Sequence, residues 1–132
     1  MSLRWRGVGL EFEGRGTAPE SPVVQIDGDG GTGPSPMQQL LLAAGSCAAI
    51  DVVLILQKMR VGLERVDVRV VGERRAEDPK RFVSVHFTFD IAGSGADQAK
   101  ADRAVQLSVE KYCSVLHTLA QDLDVSYDVA VA

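Results

Sequence analysis

Two cysteines, Cys47 and Cys113, are the side chains in this sequence best suited to chemistry. A single pair is too few for a disulfide framework, and neither thiol sits in a Cys-x-x-Cys or Cys/His spacing that would hold zinc. Two readings stay open on position alone. The thiols are small core hydrophobes, or they are a pair that cycles between reduced and disulfide forms. Cys47 lies in Gly45-Ser46-Cys47-Ala48-Ala49, whose small neighbours leave space over a sulfur. It falls deep in a predicted helix, where the dipole of the first turn gives a thiolate little help. Asp51, one turn on, opposes a thiolate if it faces the same pocket, so activation of Cys47 needs a cation from elsewhere. Cys113 precedes a short predicted helix whose free N–H groups are placed to acidify a thiol. His117, one turn after Cys113, faces that thiol or the solvent. Arg15, in a glycine turn, and Arg60, at a helix end, are the candidate cations.

Other constellations fail on inspection. Asp27-Gly28-Asp29-Gly30-Gly31-Thr32-Gly33 begins like a calcium loop, but Gly31, Thr32 and Gln38 occupy positions that need a ligand, a glycine and a glutamate. The same loop lacks the Gly-Lys-Ser/Thr of a phosphate loop. No metal or phosphate site is expected in this loop. His86 falls on the polar face of a strand. With 14 Lys+Arg against 18 Asp+Glu the net charge is −4, and aromatics are 5% of the chain. That balance disfavours a nucleic-acid or anionic-membrane partner. The N-terminus, Met1-Ser2-Leu3-Arg4-Trp5-Arg6, has no apolar leader, so a cytoplasmic location is expected.

The elements that must position these residues follow from periodicity. The length predicts one domain, 1–132. Residues 3–13 alternate as a strand with a phase slip at Gly7, read as a bulge, and end at the turn Gly14-Arg15-Gly16. Val23 to Asp27 is a second strand, so 3–27 reads as a hairpin. Ser35, Pro36 and Gln38 form an S-x-x-Q capping box at the start of a long helix. Leu40 to Leu56 is apolar except for Gly45, Ser46 and Asp51; Asp51 argues against a membrane span. A helix apolar nearly all round must be buried on all sides. A domain this small cannot do that alone, which predicts an obligate dimer. Gly62 is expected to end the helix. A strand near 63–75 and another with Val83, Val85, Phe87, Phe89 and Ile91 on one face form an antiparallel hairpin. Helices over 97–112 and about 114–122, then a strand through Val125, Tyr127, Val129 and Val131, complete an α+β order β-β-α-β-β-α-α-β without a parallel crossover series.

The stretch from Gly33-Pro-Ser-Pro-Met through Gly-Ser-Cys47-Ala-Ala-Ile-Asp-Val-Val resembles the start of the long central helix of the OsmC/Ohr family of osmotically induced and organic hydroperoxide resistance proteins. Arg103-Ala-Val-Gln-Leu-Ser-Val-Glu-Lys-Tyr-Cys113-Ser-Val resembles its second motif, and Asp78-Pro-Lys-Arg-Phe82 resembles the hairpin turn of an OsmC-like branch. The resemblance implies an intertwined homodimer with two long central helices flanked by antiparallel sheets. It implies a thiol peroxidase in which Cys47 attacks an organic hydroperoxide, Cys113 resolves the sulfenic acid as a disulfide, and an external dithiol, a lipoyl group in some members, reduces the pair. The resemblance implies no cofactor. Arg15 is the best match to the family arginine that serves the thiolate.

The sequence departs from that pattern at one place. The family's peroxidases carry a glutamate ten residues before the first cysteine, where this chain has Met37, with Gln38 beside it. Gln38 can hydrogen-bond a guanidinium, but without charge, so the arginine clamp is weaker and peroxide attack slower. Ser114 also follows the second cysteine, where proline is common in the family. A hydroperoxide reductase is therefore weighed against a non-catalytic OsmC-like dimer that binds a small molecule or senses redox state.

Overall fold

The computed structural model describes all residues from Met1 to Ala132. The chain forms two compact units, Met1–Leu40 and Leu41–Ala132.

The first unit is an antiparallel meander of β1 (Ser2–Trp5), β2 (Glu11–Arg15) and β3 (Val24–Asp27). Residues 3–13 are thus not one bulged strand. The chain reverses between Trp5 and Glu11, Trp5 pairs with Phe12, and Gly7 and Gly9 take φ of 84° and 49°. Those left-handed conformations are the reason for glycine there. The slip in alternation at Gly7 marked this turn. β2 also carries Arg15 as its last residue, so Arg15 belongs to a strand end rather than to the turn itself.

Asp27 closes β3 and organises the glycine loop. Its carboxylate accepts from the N–H groups of Asp29, Gly31 and Thr32, each at 2.9 Å. These amides, Thr32 foremost, hold its pKa below the usual carboxylate value. The carboxylate oxygens that a cation would need are turned to the backbone. The expected capping box forms: Gln38 N–H donates to Ser35 Oγ at 3.3 Å, and Ser35 N–H donates to Gln38 Oε1 at 2.9 Å.

Helix α1 (Pro36–Lys58) starts at this box and runs on through the second unit. Its buried stripe there is Ala44, Ala48, Val52 and Leu56, spaced by one turn. Burial on all sides does not occur within one chain: Leu42, Ile50 and Leu54 are 61%, 59% and 51% exposed on the other face. The helix is long and apolar enough to cross a membrane by length and composition.

Gly62 is not the residue that ends α1. Val61 N–H donates to Leu56 O and Arg60 N–H to Gln57 O, both at 3.0 Å, with Arg60 at φ 61°. This is a Schellman ending in which an arginine holds the left-handed position usually given to glycine, and Val61 and Leu56 are both buried.

β4 (Gly62–Arg74) and β5 (Phe82–Ser94) form the expected long antiparallel hairpin. Val85, Phe87, Phe89 and Ile91 are fully buried along one face, with the Phe87 and Phe89 rings 6.2 Å apart. A register shift between Glu73 and Arg74 turns Phe82, not Val83, into that core. Gly72 is required by close approach, because a Cβ there would lie 2.5 Å from the Phe82 ring and 2.9 Å from Leu41. Gly45 serves α1 similarly, since its Cβ would lie 2.7 Å from Val70.

The helical segment after β5 is continuous but divided. α2 (Gln98–Leu107) passes into a π-helical turn, Ser108–Tyr112, then Cys113, then the short α3 (Ser114–Thr118). β6 (Asp124–Val131) pairs in parallel with β5, giving the sheet order β4-β5-β6. The sheet thus holds one parallel pairing, without a crossover series, and the helical segment is the connection such a pairing needs.

Candidate functional site

The second unit brings Cys47 and Cys113 together. Cys47 projects from the middle of α1 and is half-buried; Cys113 is fully buried where the π turn ends. The two thiols lie close enough for Cys47 to raise the proton affinity of Cys113. Both are reduced. Cys113 Sγ also donates to Ala44 O at 4.0 Å, one turn before Cys47.

Burial pushes the Cys113 thiol up to about 11, and the adjacent Cys47 sulfur adds to the rise. Amides at the start of α3, those of Leu116 and Val115, pull the other way. The expected acidification of Cys113 by its helix therefore occurs only as the losing contribution. Desolvation wins because the sulfur has no solvent contact. At neutral pH Cys113 is a thiol that keeps its proton.

Asp51 lies one turn beyond Cys47 and accepts from Ser108 Oγ at 3.1 Å; the same hydroxyl lies 3.2 Å from Ala48 O. Ser108 is fully buried. This pairing was not anticipated. The signal for it was a serine among Ala101, Ala104 and Val105 on the core face of α2, opposite an aspartate in an apolar helix. Two polar groups so placed must find partners.

His117 is exposed, and only its backbone N–H meets Cys113, at the carbonyl, 3.1 Å away. Its ring lines a shallow cavity of about 280 Å³ with Leu116, Leu119 and Leu123. His86 lies on the outer sheet face, with Nδ1 2.8 Å from Ser126 Oγ and Nε2 3.2 Å from Asp128. Arg60 does not serve Cys47 within its own chain: thirteen residues of helical rise separate them by about 20 Å.

The remaining expected site residues lie in the first unit. Arg15 is exposed, has no ion-pair partner and borders an apolar cavity of about 350 Å³ lined by Leu3, Val24, Ile26 and Gln39. Met37 is half-buried in the first turn of α1. Gln38 has its side-chain oxygen engaged by the Ser35 amide. No group of three or more His, Cys, Asp or Glu side chains is arranged to hold a metal.

The profile of the OsmC-like protein family matches residues 28–128. The Escherichia coli K12 protein YhfA is 41% identical over 127 residues, covering 94% of this chain and 93% of its own. A crystal structure of a hypothetical protein from Aquifex aeolicus VF5 superposes with a TM-score of 0.79 at 25% identity, covering 99% of this chain and 96% of that one. The organic hydroperoxide resistance protein OhrB of Bacillus subtilis shares the fold, with a TM-score of 0.62 at 15% identity over 98% and 96% of the two chains.

Proposed function

The chain belongs to the OsmC-like family, and on that footing we propose that it is a thiol-dependent peroxidase that reduces organic hydroperoxides in oxidative-stress defence. The observation that carries this reading is the proximity of a half-open thiol, Cys47, to a buried, protonated one, Cys113. The accessible Cys47, as thiolate, takes the distal oxygen of the hydroperoxide. The O–O bond breaks, the alcohol leaves with a proton, and Cys47 becomes a sulfenic acid. Cys113 then attacks that sulfur, its proton leaves with the sulfenic oxygen as water, and a Cys47–Cys113 disulfide remains. An external dithiol, a lipoyl group by analogy with the family, reduces the pair through a mixed disulfide. Peroxide attack and disulfide closure use only the two thiols of the chain.

Arg15 is assigned as the cation for the Cys47 thiolate. An apolar mouth beside the thiolate would suit an alkyl hydroperoxide better than hydrogen peroxide. The active form is an intertwined homodimer of two single-domain chains in the cytoplasm. The exposed face of α1, with Leu42, Ile50 and Leu54, supports this, and so do exposed Leu3, Trp5, Val8 and Leu10.

One observation favours a second reading, a non-catalytic dimer that binds a small molecule or senses redox state. Met37 stands where the family's peroxidases have a carboxylate, and the Gln38 oxygen is engaged by the helix cap. Titration of the reduced chain with cumene hydroperoxide, counting free thiols, separates the two. Rapid loss of both thiols, abolished in Cys47→Ser, supports the peroxidase. Unchanged thiols, together with a ligand retained in native mass spectrometry, support the binder.

A further inference from the structure

The elements that carry the two cysteines are joined a second time. Asp51 follows Cys47 by one turn of α1. Ser108 precedes Cys113 by one π turn, and Cys113 N–H donates to Ser108 O at 2.8 Å. α1 and the π turn are therefore bridged by two rungs: Cys47 against Cys113, and Asp51 against Ser108. Ser108 Oγ also reaches Ala48 O, so this buried hydroxyl is anchored only on α1.

A π turn carries one more residue per hydrogen-bonded loop than an α turn, and it persists only where its surroundings hold it. A slip back to α spacing would rotate the residues beyond it by about 100° around the helix axis. Such a rotation would carry Cys113 away from Cys47. The Ser108 hydroxyl, fixed to α1 at the first residue of the turn, resists that slip.

We propose that Asp51 and Ser108 are positioning residues for closure of a Cys47–Cys113 disulfide, holding the π register that keeps Cys113 against Cys47. This rests on the redox reading of the pair, though not on peroxide as its oxidant. Neither residue touches a reacting atom in this role. Asp51 supplies a fixed acceptor, and Ser108 transmits the anchor through its backbone to Cys113.

The test is the equilibrium between dithiol and disulfide in the full chain. Diamide closes the pair, taking two electrons and two protons from the thiols and becoming the hydrazine. The chain is then equilibrated in dithiothreitol redox buffers and the disulfide fraction read by intact mass. Ser108→Ala and Asp51→Ala should each lower the closure constant at least tenfold, a potential about 30 mV more oxidising. The double variant should fall little further than either single one, because both remove the same rung. Asp51→Asn, which keeps an acceptor oxygen, should stay within threefold of the parent. Circular dichroism confirms that each variant is folded. Parental potentials in folded Ser108→Ala and Asp51→Ala would overturn the proposal, as would a parent chain that forms no disulfide with diamide. A chain showing these shifts but inert to cumene hydroperoxide would keep the positioning role and lose the peroxidase reading.

Discussion

The two thiols differ in access and in proton affinity, and each difference has a consequence at the residue scale. Cys47 is half-open while Cys113 is sealed and holds its proton to about pH 11. Limited iodoacetamide at pH 7.5 should therefore label Cys47 first, with Cys113 modified only after unfolding; peptide mass mapping reads the order. The proton on Cys113 also links to stability. The folded value lies above the ordinary 9.0, so the folded chain binds that proton more tightly than the unfolded chain. Its contribution is complete below pH 9 and is lost as pH rises through about 11. Urea midpoints taken from pH 8 to pH 10.5 should fall more steeply in the parent than in Cys113→Ala. None of this was legible in the sequence. The start of α3 pointed to a lowered thiol pKa, because free amides are a local feature, whereas the burial that outweighs them is assembled from α1 and the π turn.

At the scale of elements, local signals with a fixed period were readable. The capping box at Ser35 and Gln38 and the β4–β5 hairpin followed from cap chemistry and alternation. Signals that depend on a partner were not. The break at Gly7 looks the same for a bulge and for a reversal until Trp5 finds Phe12. Alternation through Val125 and Tyr127 identifies a strand but not its parallel neighbour. The π register of Ser108–Tyr112 is hidden because its residues satisfy helical spacing equally well. The end of α1 gives a direct test. Arg60 at φ 61° occupies a glycine position, so Arg60→Gly should raise stability by about 1 kcal/mol in urea melts. Conversely, Gly72→Val should lose about 1–3 kcal/mol, because its side chain would overlap Phe82 and Leu41.

At the scale of the molecule, α1 is the organising element. One stripe of it meets the core of its own chain, while Leu42, Ile50 and Leu54 face outward and leave an apolar strip in water. The apolar character of the whole helix was legible in the sequence, and it pointed to a second subunit. The division of labour between the two faces was not, because both faces read as equally apolar. If the open face is the dimer interface, Leu54→Glu should yield a monomer, or a poorly soluble chain, by size-exclusion chromatography with light scattering. A parental dimer in that variant would contradict the assignment of this face.

On the proposed chemistry, an organic hydroperoxide oxidises Cys47 and Cys113 then closes the disulfide. The decisive experiment is stopped-flow addition of one equivalent of cumene hydroperoxide to the reduced chain, with free thiols counted and intact mass recorded. Two thiols should disappear per peroxide, with a mass loss of two hydrogens. Cys47→Ser should show no thiol loss on the same timescale, and Cys113→Ser should stop at a sulfenic acid trapped by dimedone. Survival of both thiols in the parent, or an unchanged rate in Cys47→Ser, would contradict that chemistry.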